Sequence, residues 1–207
     1  MASRQSLDAM RDYYERAATK GDSYEGVAYP APRNQTIRFD SVLRLIEPDV
    51  GAFSVNDFGC GLAHLYDHIK AKGLPVKSYR GYDLSEPSLE MARDRLGEQV
   101  ELIRDDHLTK EADYSFALGI FNVRLDATDE EWLSFMKSVA RDLYEHSTRG
   151  CAFSSLSTHA DWMEPQLYYA DPMEMFAYCK EQISPRVALL HDYPIFEWTI
   201  LIKRPDE

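Results

Sequence analysis

A chain of 207 residues, 44% of them apolar, holds enough material for one globular core, and length alone favours one domain over two. Its formal charge of −12, with no run of Lys or Arg to offset it locally, argues against a phosphate backbone as partner, so no nucleic acid is expected. No apolar stretch is long enough to span a membrane and the first residues lack the apolar core of a signal peptide, which points to a cytoplasmic protein without a membrane partner. Cys60, Cys151 and Cys179 are odd in number and widely separated, a pattern that suits buried thiols and implies neither a disulfide framework nor a metal site.

Residues from Ser6 to about Lys20 space Leu7, Met10, Tyr13, Tyr14 and Ala17 along one helical face, and Gly21-Asp22-Ser23 ends the pattern. Tyr24 to Asn34 carries Pro30, Pro32 and two tyrosines without a period, which reads as a loop or lid. A second helix runs from about Gln35 to Ile46, turns Ile37, Val42, Leu43 and Ile46 inward, and stops at Glu47-Pro48.

The next stretch organises the rest. Phe53-Ser54-Val55-Asn56-Asp57-Phe58 can form a buried parallel strand, Gly59-Cys60-Gly61 a tight turn, and Leu62 to Lys72 a crossover helix ended by Gly73 and Pro75. Glycine at 59 and 61 lets the backbone bend sharply and approach a ligand closely, and the helix that follows points its N-terminal N–H groups at the turn. A nicotinamide fingerprint would carry a third glycine and an acid beyond the turn. Here Ala63 takes the third place and Asp57 precedes the glycines.

Ser78 to Tyr82 reads as a second strand with Asp83 at its carboxyl end, placed to accept both hydroxyls of a ribose, and Ser85 with Pro87 opens a helix. Val100 to Ile103 is a third strand leading into Arg104-Asp105-Asp106-His107, and Asp113 to Asn122 a fourth strand with its exit loop. Thr128-Asp129-Glu130-Glu131 is a capping box opening an amphipathic helix through about His146. Gly150 to Leu156 is a fifth strand, followed by a polar loop from Ser157 to Pro165 and a helix capped by Asp171-Pro172. Val187 to Tyr193 and Phe196 to Lys203 then read as two strands joined by a tight turn, an antiparallel hairpin.

Asp57 to Ala63 resembles the first motif of the class I S-adenosylmethionine-dependent methyltransferases, and Gly81-Tyr82-Asp83-Leu84-Ser85-Glu86-Pro87 resembles the second. With the terminal hairpin, the resemblance covers about Val55 to Lys203. It implies an α/β, Rossmann-like fold: a mostly parallel seven-stranded sheet with helices on both faces and a C-terminal antiparallel hairpin. The expected layout is a single domain, with residues 1–50 forming N-terminal helices and a lid and residues 51–207 the sheet core.

The resemblance also implies S-adenosylmethionine as cofactor, held at the first turn by Asp57, Gly59, Cys60 and Gly61, and at the second strand end by Asp83 and Leu84. Asp105 or Asp106, beside His107, would meet the adenine, and Leu118 and Ile120 at the end of the fourth strand would face the methionine part. Tyr13, Tyr14, Tyr24 and Tyr29 can close over a sulfonium, and Arg38 can pair with the cofactor's carboxylate. His159, following the fifth strand, is the candidate general base; Asn122 and Tyr14 are further candidates near the reacting atoms. His64 and His68 read as a helix face rather than a metal pair.

The implied activity is methyl transfer to a small-molecule acceptor by a monomer or homodimer. The alternative is a catalytically inactive S-adenosylmethionine-binding fold acting as a binding or scaffold subunit.

Overall fold

The computed structural model describes residues 4–18, 32–165 and 167–205. Helices α1 (Arg4–Ala18) and α2 (Pro32–Leu43) precede the sheet. Then follow β1 (Phe53–Phe58), α3 (His64–Ala71), β2 (Val76–Asp83), α4 (Glu86–Leu96), β3 (Glu101–Arg104) and β4 (Ala112–Ala117). After these come α5 (Asp129–Glu145), β5 (Ser147–Leu156), α6 (Pro172–Gln182), β6 (Val187–Leu190) and β7 (Glu197–Lys203). Among the described residues no helix is long and apolar enough to cross a membrane.

One seven-stranded sheet runs in the order β3-β2-β1-β4-β5-β7-β6. The first five strands are parallel, and β7 lies antiparallel between β5 and β6. From β1 the chain winds outward to β3, then returns to lay β4 on the other side of β1. The winding therefore reverses between β1 and β4, and the crevice at their carboxyl ends is where an open α/β sheet takes a ligand. That crevice lies beside the glycine turn.

Helices cover both faces because the inner strands β1, β4, β5 and β7 bury both of theirs, while the edge strands β3 and β6 stay partly open. On one side Val42 of α2, Leu65 and Ile69 of α3 and Ala92 of α4 pack on Phe53, Val55 and Phe116. On the other, Trp132, Met136 and Leu143 of α5 and Met175 of α6 pack on Phe58, Phe153, Trp198 and Ile200, with Met10 of α1 at the margin. The helix starts carry the caps their sequences encode. Ser85 accepts from the Ser88 N–H, Thr128 and Glu131 close a capping box, and Asp171 accepts from the Met173 and Glu174 N–H groups. The three cysteines are buried thiols, as their spacing suggests.

Several boundaries shift by a few residues from the sequence reading, and two of the shifts have a physical reason in the chain. Helix α2 starts at Pro32, inside the segment expected to be a lid, because a proline at the first helical position gives up an N–H that has no helical partner there. The terminal strands are not joined by a tight turn: β6 ends at Leu190, and residues 191–196 form the connection, where Pro194 supplies no N–H for a ladder.

Helix α2 is fastened to the sheet by a buried polar seam. The Arg38 Nε donates to a Glu197 carboxylate oxygen at 2.6 Å and a second guanidinium nitrogen donates to the other oxygen, a bidentate pair with side chains 3% and 5% exposed. Ser41 and Thr199 share a hydrogen bond of 2.7 Å beside it, and Tyr193 another of 2.8 Å with Thr199. Removing one member of a buried ion pair leaves the other charge uncompensated, at a cost of about 3–5 kcal/mol. Arg38→Met and Glu197→Leu are each expected to lose about that much stability in urea unfolding, while the double variant recovers most of it. Equal loss in the double variant and the sum of the singles would show that the pair carries no coupling.

Candidate functional site

A cavity of about 700 Å³ opens at the carboxyl ends of β1, β2 and β4, roofed by α1 and α2 and bordered by the loop after β5 and the connection before β7. Its floor is the glycine bend. Gly59 has φ of 74° and Gly61 φ of 52°, backbone conformations that disfavour any residue with a Cβ. A Cβ on Gly59 would come within 2.1 Å of the Ile120 side chain, whereas one on Gly61 meets nothing within 4 Å. The first glycine therefore lets β1 and the β4 exit pack together, and the second faces the open hollow.

The bend's own N–H groups are turned onto the neighbouring strand and its exit. Those of Gly59 and Cys60 both donate to the Tyr82 carbonyl, at 2.8 and 3.0 Å, and that of Gly61 donates to Asp83 Oδ2 at 2.8 Å. The other Asp83 oxygen accepts from the Ser85 N–H at 2.8 Å. One carboxylate thus ties the turn after β1 to the entrance of α4 after β2. A carboxylate offers about four acceptor positions, so two such bonds leave capacity on its cavity side. Burial pushes the Asp83 carboxyl up, opposed by the N–H groups of Ser85, Gly61 and Leu84.

Asp57 sits behind the bend, 3% exposed. Burial raises its carboxyl to about 7, the hydrogen bond from the Tyr79 hydroxyl opposes the rise, and the neighbouring charge of Asp83 adds to it. Tyr79 is 2% exposed and packs on Tyr66, so the pair is held in place by the α3 side of the core. Cys60 also lines the cavity. Its sulfur fills the space a Cβ on Gly81 would occupy, 2.6 Å away, and burial raises its thiol well above the usual range.

Of the residues singled out from sequence, Asp57, Gly59, Cys60, Gly61, Asp83, Leu84, Asp105, Asp106, Leu118, Ile120, Asn122, Tyr14 and Arg38 all border this one hollow. Tyr14 places its hydroxyl 3.5 Å from the Gly119 carbonyl oxygen, and its ring meets that of Tyr13 edge-on at 5.2 Å. The Asn122 side-chain oxygen accepts from the Leu156 N–H at 3.3 Å, and its carbonyl accepts from the Tyr168 N–H at 2.9 Å. Asn122 therefore joins the exits of β4 and β5. Tyr24 and Tyr29 lie outside the described residues.

Three expectations need correction. Arg38 lines the cavity, but two of its three guanidinium nitrogens bond Glu197, so its charge is matched within the protein and a cofactor carboxylate would have to share it with Glu197. His107 stands outside the hollow, 62% exposed, its Nδ1 at 2.8 and 2.9 Å from the Asp105 and Asp106 carboxylates. His159 is also exposed and outside it. Its backbone N–H is turned onto Ser157 Oγ, and its ring lies 5.9 Å from that of His191 across the surface, so it is not placed to take a proton from a molecule in the cavity.

Asp105, Asp106 and His107 bring three ligand-type atoms within 4.8 Å of one another on the surface, a solvated cluster at the end of β3. His64 and His68 do not converge. His68 pairs with Asp40 at 2.7 Å, while His64 borders the cavity near Gln35.

The sequence reading passed over several residues that line the hollow, among them Gln35, Phe196, Glu197 and Ile195. Glu197 carried a usable signal, an acid opening an otherwise apolar strand, but its partner Arg38 lies on the first part of the chain and no local pattern links the two.

Comparison with known proteins gives a relative and a set of similar folds. No protein-family model matches the chain. It is 40% identical over 156 residues, 73% of this chain and 93% of the other, to "Putative methyltransferase Rv1506c" of Mycobacterium tuberculosis. The magnesium protoporphyrin IX methyltransferase (ChlM) from Synechocystis PCC 6803, solved with bound SAM, superposes with a TM-score of 0.68 at 16% identity, covering 99% of this chain and 100% of that one. The DhpI-SAM-HEP complex gives a TM-score of 0.67 at 15% identity, covering 99% and 100%. At such identities these two structures show a shared fold.

The Asp57 carboxyl yields a pH prediction. Because its value in the fold lies above the ordinary carboxylate value, its neutral form is the one the fold favours. Its contribution to stability is full below about pH 4 and is lost as pH rises through about 7. Thermal midpoints between about pH 5 and about pH 8 should fall more steeply for the wild type than for Asp57→Asn, which keeps an acceptor for Tyr79 without the charge. Parallel slopes would place the carboxyl's titration elsewhere.

Proposed function

The chain belongs to the class I S-adenosylmethionine-dependent methyltransferase family, and from that premise we propose that it transfers a methyl group from S-adenosylmethionine to a small-molecule acceptor. The observation that carries the reading is the Asp83 carboxylate, fixed by the Gly61 and Ser85 N–H groups at the floor of an open cavity where the winding of the sheet reverses.

The residues present fit that cofactor. Asp83 retains acceptor capacity toward the cavity for a pair of vicinal hydroxyls, and Gly61 leaves room beside it because no side chain fills the space above its α carbon. Asp105, half-buried at the end of the neighbouring strand β3, offers a carboxylate to an exocyclic amine of the base. Asp57 and Asp83 together favour a positively charged ligand, and the Asp57 carboxyl, raised to about 7 by burial, is expected to ionise more readily beside one. Leu118 and Ile120 supply the apolar wall opposite the bend.

When bound, S-adenosylmethionine supplies a methyl group already activated by the sulfonium charge. An acceptor lone pair would take that methyl group, with S-adenosylhomocysteine as the leaving group and any acceptor proton released afterwards. Such a step needs alignment and exclusion of water more than a fixed base. The protein's share is therefore positional. Tyr13 and Tyr14 wall the hollow from α1, and Tyr14, with its hydroxyl held near Gly119, is the described residue we place closest to the reacting atoms. Asn122 keeps the β4 and β5 exits at a fixed separation, and His159 takes no part. The excess of acid disfavours a polyanionic acceptor, so nucleic acid is not proposed, and a cytoplasmic monomer or homodimer remains our reading.

Calorimetry tests this directly. The wild type should bind both S-adenosylmethionine and S-adenosylhomocysteine. Asp83→Ala should weaken each by about 10- to 100-fold, the loss of hydrogen bonds to a charged acceptor. A folded wild type that binds neither ligand would overturn the reading.

A further inference from the structure

The part of the cavity away from the ends of β1, β2 and β3 is walled by residues that an adenosine site does not use. Trp162 is 64% exposed, in contrast to Trp132 and Trp198, which are fully buried. Its ring meets that of Phe196 edge-on, with centroids 4.6 Å apart, and both line the cavity with Tyr169 and Leu167. Tyr169 is fixed there, since its hydroxyl oxygen accepts from the Glu164 N–H at 2.9 Å. A large aromatic ring left this open beside a hollow gains when another ring covers it, through removal of apolar surface from water and through offset or edge-on ring contact.

Charge narrows what that ring can carry. Among the described residues the cavity is bordered by the carboxylates of Asp57, Asp83, Asp105, Asp106 and Glu164, by Glu197 with its charge matched by Arg38, and by no lysine. Its two guanidinium groups are matched inside the protein, Arg11 by Asp8 and Asp12 and Arg38 by Glu197. Among the described residues His64 is the one other lining group able to carry positive charge, and it sits on α3 beside the glycine bend. An anion entering past Glu164 would therefore meet like charge while both described guanidinium charges are already paired with carboxylates, which selects against it at encounter and in the bound state.

Resting on the methyltransferase reading above, we propose that the acceptor is an aromatic molecule without negative charge, seated against Trp162 and Phe196 on the Glu164 side of the cavity. Trp162 then sets specificity and takes no part in the chemistry. The face of an aromatic wall also suits a cationic ring or a ring bearing an amine, which the nearby carboxylates favour further.

The test uses the full chain saturated with S-adenosylhomocysteine and three indoles matched in size, indole-3-ethanol, tryptamine and indole-3-acetate, titrated by calorimetry. The neutral and cationic indoles should bind at least about ten-fold more tightly than the anion. Trp162→Ala should weaken those two by about ten-fold or more while leaving S-adenosylhomocysteine affinity within about two-fold. In the wild type, tryptophan emission gives a second readout with the non-fluorescent pair nitrobenzyl alcohol and nitrobenzoate. Quenching should follow the alcohol and vanish in Trp162→Ala, because the two remaining tryptophans are buried. The proposal is overturned if the anions bind as tightly as their neutral partners, if Trp162→Ala changes nothing, or if no indole binds a protein that does bind S-adenosylhomocysteine. Failure to bind S-adenosylhomocysteine at all would instead overturn the methyltransferase reading, and this proposal with it.

Discussion

The Asp83 carboxylate is the point on which this structure turns. By accepting from Gly61 on one strand's exit and from Ser85 on the next, it locks two loops that would otherwise move independently. The remaining N–H groups of the bend are consumed by the Tyr82 carbonyl, so the loop after β1 is stitched to β2 along its whole length. A ligand meets a floor that is already formed, which spares it the entropy of ordering two loops. The carboxylate also faces the cavity with acceptor capacity left, so one side chain both builds the floor and is offered to the guest.

Acid near acid is the cost of that arrangement. Burial raises the Asp57 carboxyl to about 7 and the nearby Asp83 charge adds to the rise, while burial also pushes Asp83 up. Tyr79 satisfies Asp57 from behind without removing its charge problem. A cation arriving in the hollow would relieve both carboxyls at once. The cavity is thus an electrostatic sink for positive charge, and the aromatic wall at its other end, Trp162 and Phe196, is the natural place for a second, uncharged or cationic guest. The Arg38–Glu197 pair keeps its own charges satisfied at the roof and contributes position, not a counter-charge.

Much of the fold was legible because local rules agree with one another. The strand and turn at Phe53 to Gly61, the cap at Ser85 and the capping box at Thr128 each follow from residues a few places apart, and each is found where its pattern sets it. That Asp57, Gly59, Gly61 and Asp83 border one hollow was readable for the same reason, since all of them stand at strand ends. What escaped depends on contacts between distant parts of the chain. Arg38 reads as a helix-surface charge until β7 brings Glu197 beneath it, and His159 reads as a base until the loop turns it outward toward His191. The engagement of the bend's N–H groups by Tyr82 and Asp83 was likewise invisible, because nothing in the sequence of a glycine turn says which neighbour will accept from it.

The account stands on adenosine being held between the glycine bend and Asp83, and a crystal structure of the complex with S-adenosylhomocysteine addresses it most directly. It should show both ribose hydroxyls donating to Asp83, the base near Asp105 and the sulfur directed toward the Tyr14 side of the cavity. Ligand density elsewhere on the protein, or a ribose turned away from Asp83 while the cavity stays filled with solvent, would contradict it.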